Sequence, residues 1–113
     1  MAVIGIDLDG VICSEEKTFE KPLAQLNPGA YEFFREAKGL GHTLVIWTAR
    51  GWEQYKVTSH WLDVQGIEYD QLIMGKPIFD VFIDDRAVGH KDWAGSRAEL
   101  VGRGILAPAT KQD

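Results

Sequence analysis

The feature that most constrains the fold of this chain is the alternation of apolar, β-branched runs with segments of helical periodicity. Strands are predicted over residues 2–8, 42–48, 70–74 and 79–85, and helices over 27–41, 52–65 and about 91–101. Continuous apolar strands that alternate with helices are typical of a parallel sheet covered on both faces. The sequence therefore predicts a single α/β domain spanning residues 1–113.

The helical segments carry capping signals and apolar stripes. Asn27 is predicted as the N-cap of the first helix, with Pro28 in its first turn and Gly39 or Gly41 at its end. Gly66 is predicted to end the second helix. The residues predicted to face the core are Ala30, Phe33, Ala37 and Leu40, then Val57, Trp61 and Val64, then Trp93, Ala94, Ala98 and Leu100 or Val101. Trp52 is predicted to pack on a helix face and Trp47 in the sheet.

Composition narrows the class of protein. No apolar stretch approaches the roughly 20 residues that span a bilayer, and Asp7 and Asp9 interrupt the N-terminal apolar run where a secretory signal would need to continue. A cytoplasmic location and no membrane partner are the resulting expectations. The single cysteine, Cys13, excludes an internal disulfide. The net charge of −5 disfavours nucleic acid as a partner.

Polar residues follow the predicted strands at the points where these end. Parallel strands bind ligands beyond their carboxyl ends, so these residues are expected to meet at one edge of the sheet. They are Asp7 and Asp9, Thr48, Lys76, Asp84 and Asp85. Taken singly, each has an ordinary explanation as a loop, packing, surface or capping residue. Their joint occurrence in this order favours a site.

The chemistry of this set suits phosphoryl transfer. Clustered carboxylates repel one another unless a cation is present, and hard oxygen ligands favour Mg²⁺ shared with a substrate phosphate. Asp7 is placed to act as a nucleophile that forms an aspartyl-phosphate. Asp9 is placed to protonate the leaving group and then to activate water. Lys76, the Thr48 hydroxyl and the backbone amides after Thr48 can hold phosphate oxygens.

These motifs resemble those of the haloacid dehalogenase superfamily over nearly the whole chain. "IGIDLDGV" is similar to its first motif, "VIWT" to the second, "GKP" to the third and "VFIDD" to the fourth. The resemblance implies that Asp7 is the nucleophile and Asp9 the general acid/base, and that Thr48 and Lys76 bind the phosphoryl group. It also implies Mg²⁺ held by Asp7, the backbone carbonyl of Asp9 and the fourth motif, with Asp85 the direct ligand and Asp84 a supporting one.

The resemblance further implies a three-layer α/β/α sandwich with a Rossmann-like parallel sheet, strand order 3-2-1-4 and the first strand central. The intervals from Asp9 to Thr48 and from Thr48 to Lys76 are too short to hold a cap domain. An acid at position 9 favours a phosphatase over a dehalogenase or a transport ATPase. "TARG" and the stretch from Trp61 to Val88 resemble the short phosphatases found with capsule and surface-sugar biosynthesis genes, although the segment between Gly51 and Trp61 is shorter here.

The expected substrate is a small phosphorylated metabolite such as a sugar phosphate, bound by Thr48, Ala49, Arg50 and Lys76. Arg50 is predicted either to reach this substrate or to form a structural salt bridge. The loop 13–22 is a candidate for substrate selection, with Lys17 and Lys21 either contacting an anion or solvated. A homo-oligomer is compatible with the sequence, but nothing indicates one.

Three other functions are compatible with parts of the pattern. A polynucleotide 3′-phosphatase or a protein phosphatase would use the same chemistry on a bulkier substrate. A signalling receiver domain also uses an acidic pair, a Thr and a Lys, but there the phosphoacceptor lies on a middle strand with the Thr and Lys after it. In this chain the second acidic pair follows Lys76, so the order differs. The third alternative is a binding domain without catalysis.

Overall fold

A computed structural model describes residues 1–16 and 23–108 of the chain. Its elements in chain order are β1 (Val3–Asp7), α1 (Ala30–Gly39), β2 (Thr43–Trp47), a 3-10 turn (Trp52–Gln54), α2 (Tyr55–Gln65), β3 (Gln71–Ile73) and α3 (Trp93–Gly102). The longest helix has 11 residues, and no helix in these ranges combines the length and apolarity needed to cross a membrane.

The three strands form a parallel sheet in the order β1-β2-β3. Ile6 pairs with Ile46 across β1 and β2, and Trp47 pairs with Ile73 across β2 and β3. This is the arrangement predicted for the first three strands. Leu44 and Ile46 are fully buried, while Val45 between them and Trp47 after them are only half-buried, as the alternation of side chains along a strand requires.

The predicted fourth strand is absent from the described sheet, and this prediction is wrong for the structure. Residues 79–85 adopt no strand, and Val81 and Ile83 are 74% and 95% exposed. β1 consequently lies at the edge of the sheet rather than at its centre, and Val3 is largely exposed. An apolar run forms a strand only when a neighbouring strand supplies backbone hydrogen bonds. No such pairing joins residues 79–85 to β1.

The start of α1 also differs from the prediction. Gly29, with φ 91°, precedes the helix as its N-cap, whereas Asn27 uses its side-chain amide to donate to the carbonyl of Val11 at 3.0 Å. Because the Asn27 side chain is hydrogen-bonded to another loop, it does not cap the helix. The prediction of Asn27 as the N-cap is wrong. The helix ends at Gly39 as predicted, followed by Leu40 and Gly41.

The core-facing stripes were only partly correct. Ala30, Phe33, Ala37, Trp61, Trp93 and Leu100 are buried as predicted, together with Phe34, Leu62, Thr58 and Ser96. By contrast, Leu40, Val57, Val64, Ala94 and Ala98 are exposed. In α2 the buried face is shifted by one residue from the predicted stripe, to Thr58 and Leu62. Leu40 lies beyond the end of α1, and in α3 Ser96 is buried instead of Ala94 and Ala98. An apolar residue at the edge of a helix gives no signal of which neighbour lies inside.

Aromatic packing joins the helices to the first loop. Phe33 of α1 stacks on Trp93 of α3 with ring centroids 4.6 Å apart. The indole N–H of Trp93 donates to the carbonyl of Val11 at 3.0 Å, and that of Trp61 donates to the carbonyl of Ala24 at 3.1 Å. The core thus anchors the backbone at Val11 and at Ala24. The three-layer arrangement stays a prediction.

Asp70 links three elements and gives a test of the fold. Its carboxylate accepts the backbone N–H of Leu44 at 2.7 Å and a salt bridge from Lys38 at 2.8 Å. The Lys38 hydrogen bond, followed by the Leu44 N–H, lowers the pKa of Asp70. A carboxylate with a lowered folded pKa stabilises the fold above its unfolded pKa of about 3.9, and this contribution is lost as pH falls through the folded value.

Asp70→Asn is therefore expected to lower the urea midpoint at pH 7, and the difference from the parent should shrink towards pH 3. Glu68→Gln, an exposed change two residues away, is the control and should leave the midpoint nearly unchanged. Equal midpoints for Asp70→Asn and the parent at pH 7 would contradict the role of this carboxylate.

Candidate active site

The chain turns sharply after β1 and thereby presents two carboxylates at the sheet edge. The carbonyl of Leu8 accepts backbone N–H groups from Val11, Ile12 and Cys13 at 2.8–3.2 Å. Gly10 has φ 85°, a conformation that favours glycine, and its N–H donates to the carbonyl of Cys13 at 2.7 Å. Leu8, Ile12 and Cys13 are fully buried, so this turn is anchored in the core.

Asp7 faces a lysine from another loop. The Oδ2 atom of Asp7 lies 3.6 Å from Nζ of Lys76, with the two side chains 38% and 23% exposed. The other carboxylate oxygen, Oδ1, accepts the backbone N–H of Leu8 at 2.9 Å. The Lys76 ammonium also lies 5.3 Å from the centre of the Trp47 ring. Asp7 and Lys76 thus form a half-exposed charged pair at the carboxyl ends of the strands.

Thr48 is tied to the same loop as Lys76. The carbonyl of Thr48 accepts the N–H of Lys76 at 2.8 Å, and the carbonyl of Arg50 accepts the N–H of Gly75 at 2.8 Å. The Thr48 side chain is fully buried, and its Oγ1 accepts the N–H of Arg50 at 3.1 Å. Ala49, beside it, is exposed. The structure therefore joins the second and third motifs through their backbones.

Asp9 forms a salt bridge with Arg50 through both carboxylate oxygens. Arg50 donates from Nε to Oδ2 at 2.9 Å and from Nη2 to Oδ1 at 2.8 Å. Its Nη1 donates to Oγ1 of Thr58 at 2.8 Å, and the residue is only 5% exposed. Of the two roles predicted for Arg50, the structure shows the salt bridge. Thr58 was missed because a Thr in the middle of a helix gives no functional signal.

The remaining acids of the set are not brought to this site. Asp84 and Asp85 lie on an exposed segment, where Oδ1 of Asp84 accepts the N–H of Arg86 at 2.8 Å. Over residues 1–16 and 23–108, no three His, Cys, Asp or Glu side chains are gathered to hold a metal ion. The donors suit Mg²⁺ in kind, because Asp7 is a half-exposed carboxylate at a strand end. The full set of ligands stays a prediction.

Two further features bear on substrate binding. Lys17 and Lys21, considered above for anion binding, lie outside the described residues. Trp52, predicted to pack on a helix face, is instead 62% exposed, and that prediction is wrong. Its ring stacks on Tyr55, with centroids 5.8 Å apart. The pattern of apolar residues gave no means of telling this tryptophan from a buried one.

The chain is similar to several solved structures. A crystallised target protein from Vibrio cholerae is 27% identical, with a TM-score of 0.73 and coverage of 93% of this chain and 94% of that one. A chain of the Pnkp1/Rnl/Hen1 complex is 21% identical, with a TM-score of 0.60 and coverage of 94% and 35%. The D,D-heptose 1.7-bisphosphate phosphatase from B. bronchiseptica, complexed with magnesium and phosphate, is 19% identical, with a TM-score of 0.49 and coverage of 94% and 65%.

No family model and no curated protein matches the sequence. The chain spans about a third of the length of the Pnkp1/Rnl/Hen1 chain, so that similarity concerns the fold of one part of it. The parallel α/β sheet and the coverage of more than nine-tenths of both chains show that this chain shares the fold of the Vibrio cholerae protein. The haloacid dehalogenase family stays a prediction from the sequence motifs.

Proposed function

We propose that this protein is a Mg²⁺-dependent phosphomonoesterase that works through an aspartyl-phosphate on Asp7. The observation that carries the proposal is the pairing of Asp7 with Lys76 at 3.6 Å, at the edge where the second and third motifs are joined by backbone hydrogen bonds. A nucleophilic carboxylate beside a fixed ammonium, both accessible, is what phosphoryl transfer to an aspartate requires.

Asp7 and Lys76 have complementary parts in the first half of the reaction. A carboxylate oxygen of Asp7 attacks the phosphorus, forming a new P–O bond while the bond from phosphorus to the ester oxygen breaks. Lys76 offsets the negative charge of the phosphoryl oxygens and of the carboxylate, which would otherwise repel each other. The ammonium is held over the Trp47 ring at 5.3 Å, which restricts where it can lie.

Asp9 is proposed to move the protons. It gives a proton to the leaving alkoxide and later takes one from the water that attacks the phosphorus, releasing phosphate and regenerating Asp7. Because Arg50 binds both oxygens of Asp9, one contact has to loosen whenever Asp9 carries the proton. Arg50 is thus proposed as a positioning residue, held in turn by Thr58.

The predicted ion would be held by Asp7 and the backbone carbonyl of Asp9. Asp85 and Asp84, the further ligands that the motif resemblance implies, are not gathered with Asp7 in the structure. When bound, Mg²⁺ neutralises negative charge on the transferring phosphoryl group. The finer assignment, to a small phosphorylated metabolite such as a sugar phosphate bound near Thr48, Ala49 and Lys76, belongs to the same proposal, as do a cytoplasmic location and the capsule-type subfamily.

Metal removal tests the proposal. Purified protein is expected to release phosphate from an aryl phosphate in the presence of Mg²⁺. EDTA should lower the rate of phosphate release by at least about 100-fold, and excess Mg²⁺ should restore it. Folding should be followed by circular dichroism in the same samples. A rate that is indifferent to EDTA would contradict the metal requirement, and no phosphate release at all would contradict the proposed function.

A comparison of substrates separates the proposed function from its closest alternatives. Sugar phosphates, 3′-phosphorylated oligonucleotides and phosphopeptides should be offered at equal concentration. The proposal expects the small metabolites to have the highest kcat/KM, since the net charge of −5 disfavours binding of nucleic acid. Preference for the oligonucleotide or the peptide would redirect the assignment to a bulkier substrate.

A further inference from the structure

An exposed pair of aromatic rings lies next to the loop that carries Lys76. Trp52 and Tyr55 are 62% and 39% exposed, and their planes are inclined by only 21°. The other three tryptophans of the chain, Trp47, Trp61 and Trp93, are half-buried or buried. Burial of a large aromatic ring away from water is strongly favourable in free energy. Two stacked rings that stay exposed therefore mark a surface on which a further ring can pack.

The indole of Trp52 lies against the residue that precedes Lys76. A Cβ atom on Gly75 would lie 3.7 Å from Nε1 and 3.9 Å from Cδ1 of Trp52. Gly75 has φ 77° and donates its N–H to the carbonyl of Arg50 at 2.8 Å. Trp52 therefore contacts the residue that directly precedes Lys76 in the chain.

We infer that the Trp52–Tyr55 pair stacks on a ring in the leaving group of the substrate while the phosphoryl group lies at Asp7 and Lys76. This inference rests on the proposed function and adds the class of substrate, a ring-bearing monoester. The ring pair gives a flat apolar surface for the leaving group, and the ammonium beside it gives the charge for the phosphate. A nucleobase has a flat π-face and a pyranose has an apolar C–H face, and either can pack on such a surface.

Three esters of primary alcohols test the inference, because their leaving groups are chemically alike and differ in the ring. They are glycerol 3-phosphate, glucose 6-phosphate and a nucleoside 5′-monophosphate. Trp52→Ala is expected to lower kcat/KM about tenfold for at least one of the ring-bearing esters and less than about twofold for glycerol 3-phosphate. Trp52→Phe, which keeps a ring, should retain most of the parent value. Val64→Ala, at an exposed position of α2, is the control and should match the parent on all three.

The pattern of losses identifies the ring and separates the two proposals. A loss for the nucleotide alone indicates stacking on the base, and a loss for glucose 6-phosphate shows that the aromatic pair accepts a sugar ring. Equal losses for all three esters, or none, would overturn the stacking inference while leaving the phosphatase proposal intact. A parent protein that hydrolyses no phosphomonoester contradicts the proposed function instead.

A binding measurement decides the stacking without catalysis. The chain has four tryptophans, so its nitrogen-correlated NMR spectrum contains four indole N–H signals, and the one lost in Trp52→Phe belongs to Trp52. That signal is expected to shift on titration with the ring-bearing esters and to stay in place with glycerol 3-phosphate. A Trp52 signal that no ring-bearing ester moves would contradict the inference.

Discussion

Asp7→Asn is expected to lower kcat/KM for an aryl phosphate by about 10³-fold or more, because an amide oxygen is a far weaker nucleophile than a carboxylate. The fold should survive, since Asp7 is half-exposed and an amide oxygen can still accept the N–H of Leu8. The free energy of unfolding is expected to change by less than about 1 kcal/mol. Activity and urea unfolding, measured on the same preparation, check both parts.

Asp63→Asn provides the matched control for this substitution. Asp63 is exposed on α2, so the same loss of one negative charge occurs away from the paired Asp7 and Lys76. Its activity should equal that of the parent. Wild-type turnover by Asp7→Asn would show that the nucleophile has been wrongly assigned.

The second large effect concerns stability. Arg50→Met is expected to lower the free energy of unfolding by about 3 kcal/mol or more, because it leaves the Asp9 carboxylate without the guanidinium that binds both of its oxygens. The side chains of Arg50 and Asp9 are only 2% and 15% exposed, so water can compensate for little of the lost pairing. Chemical denaturation measures this loss.

Two comparisons make the result specific to the salt bridge. Arg35→Met changes an exposed arginine of α1 and should alter the free energy of unfolding by less than about 0.5 kcal/mol. The double variant Arg50→Met with Asp9→Asn should be destabilised by less than the sum of the two single variants, since the second change removes the carboxylate charge that Arg50 had balanced. Strict additivity would contradict a direct coupling between Arg50 and Asp9.

The first three strands could be predicted because their signals are local. β1, β2 and β3 are apolar runs bounded by turns, and the helices between them end at glycines such as Gly66, which has φ 75°. The segment 79–85 carries an equally apolar run, yet it forms no strand. A segment forms a strand when it pairs with another strand that is distant in sequence. The composition of the segment alone does not show whether that pairing occurs.

The candidate site shows a similar division. Ligands bind beyond the carboxyl ends of parallel strands, and this rule predicts Asp7, Thr48 and Lys76 at one edge of the sheet from the sequence alone. The same rule could not show that Arg50 binds Asp9 and Thr58, or that Trp52 is exposed. Those properties depend on where a loop and a helix pass one another, which is a matter of tertiary packing rather than of spacing along the chain.

The most direct test of the central claim is detection of a phosphoryl group on Asp7. Asp9→Asn protein, mixed with Mg²⁺ and an aryl phosphate whose leaving group needs no protonation, should be quenched in acid within the first turnover and analysed by peptide mass spectrometry. We predict one added phosphoryl group on the peptide that contains Asp7, absent from Asp7→Asn protein and removed by hydroxylamine. Phosphate release by the parent, with no such adduct on that peptide in the Asp9→Asn protein, would contradict covalent transfer to Asp7.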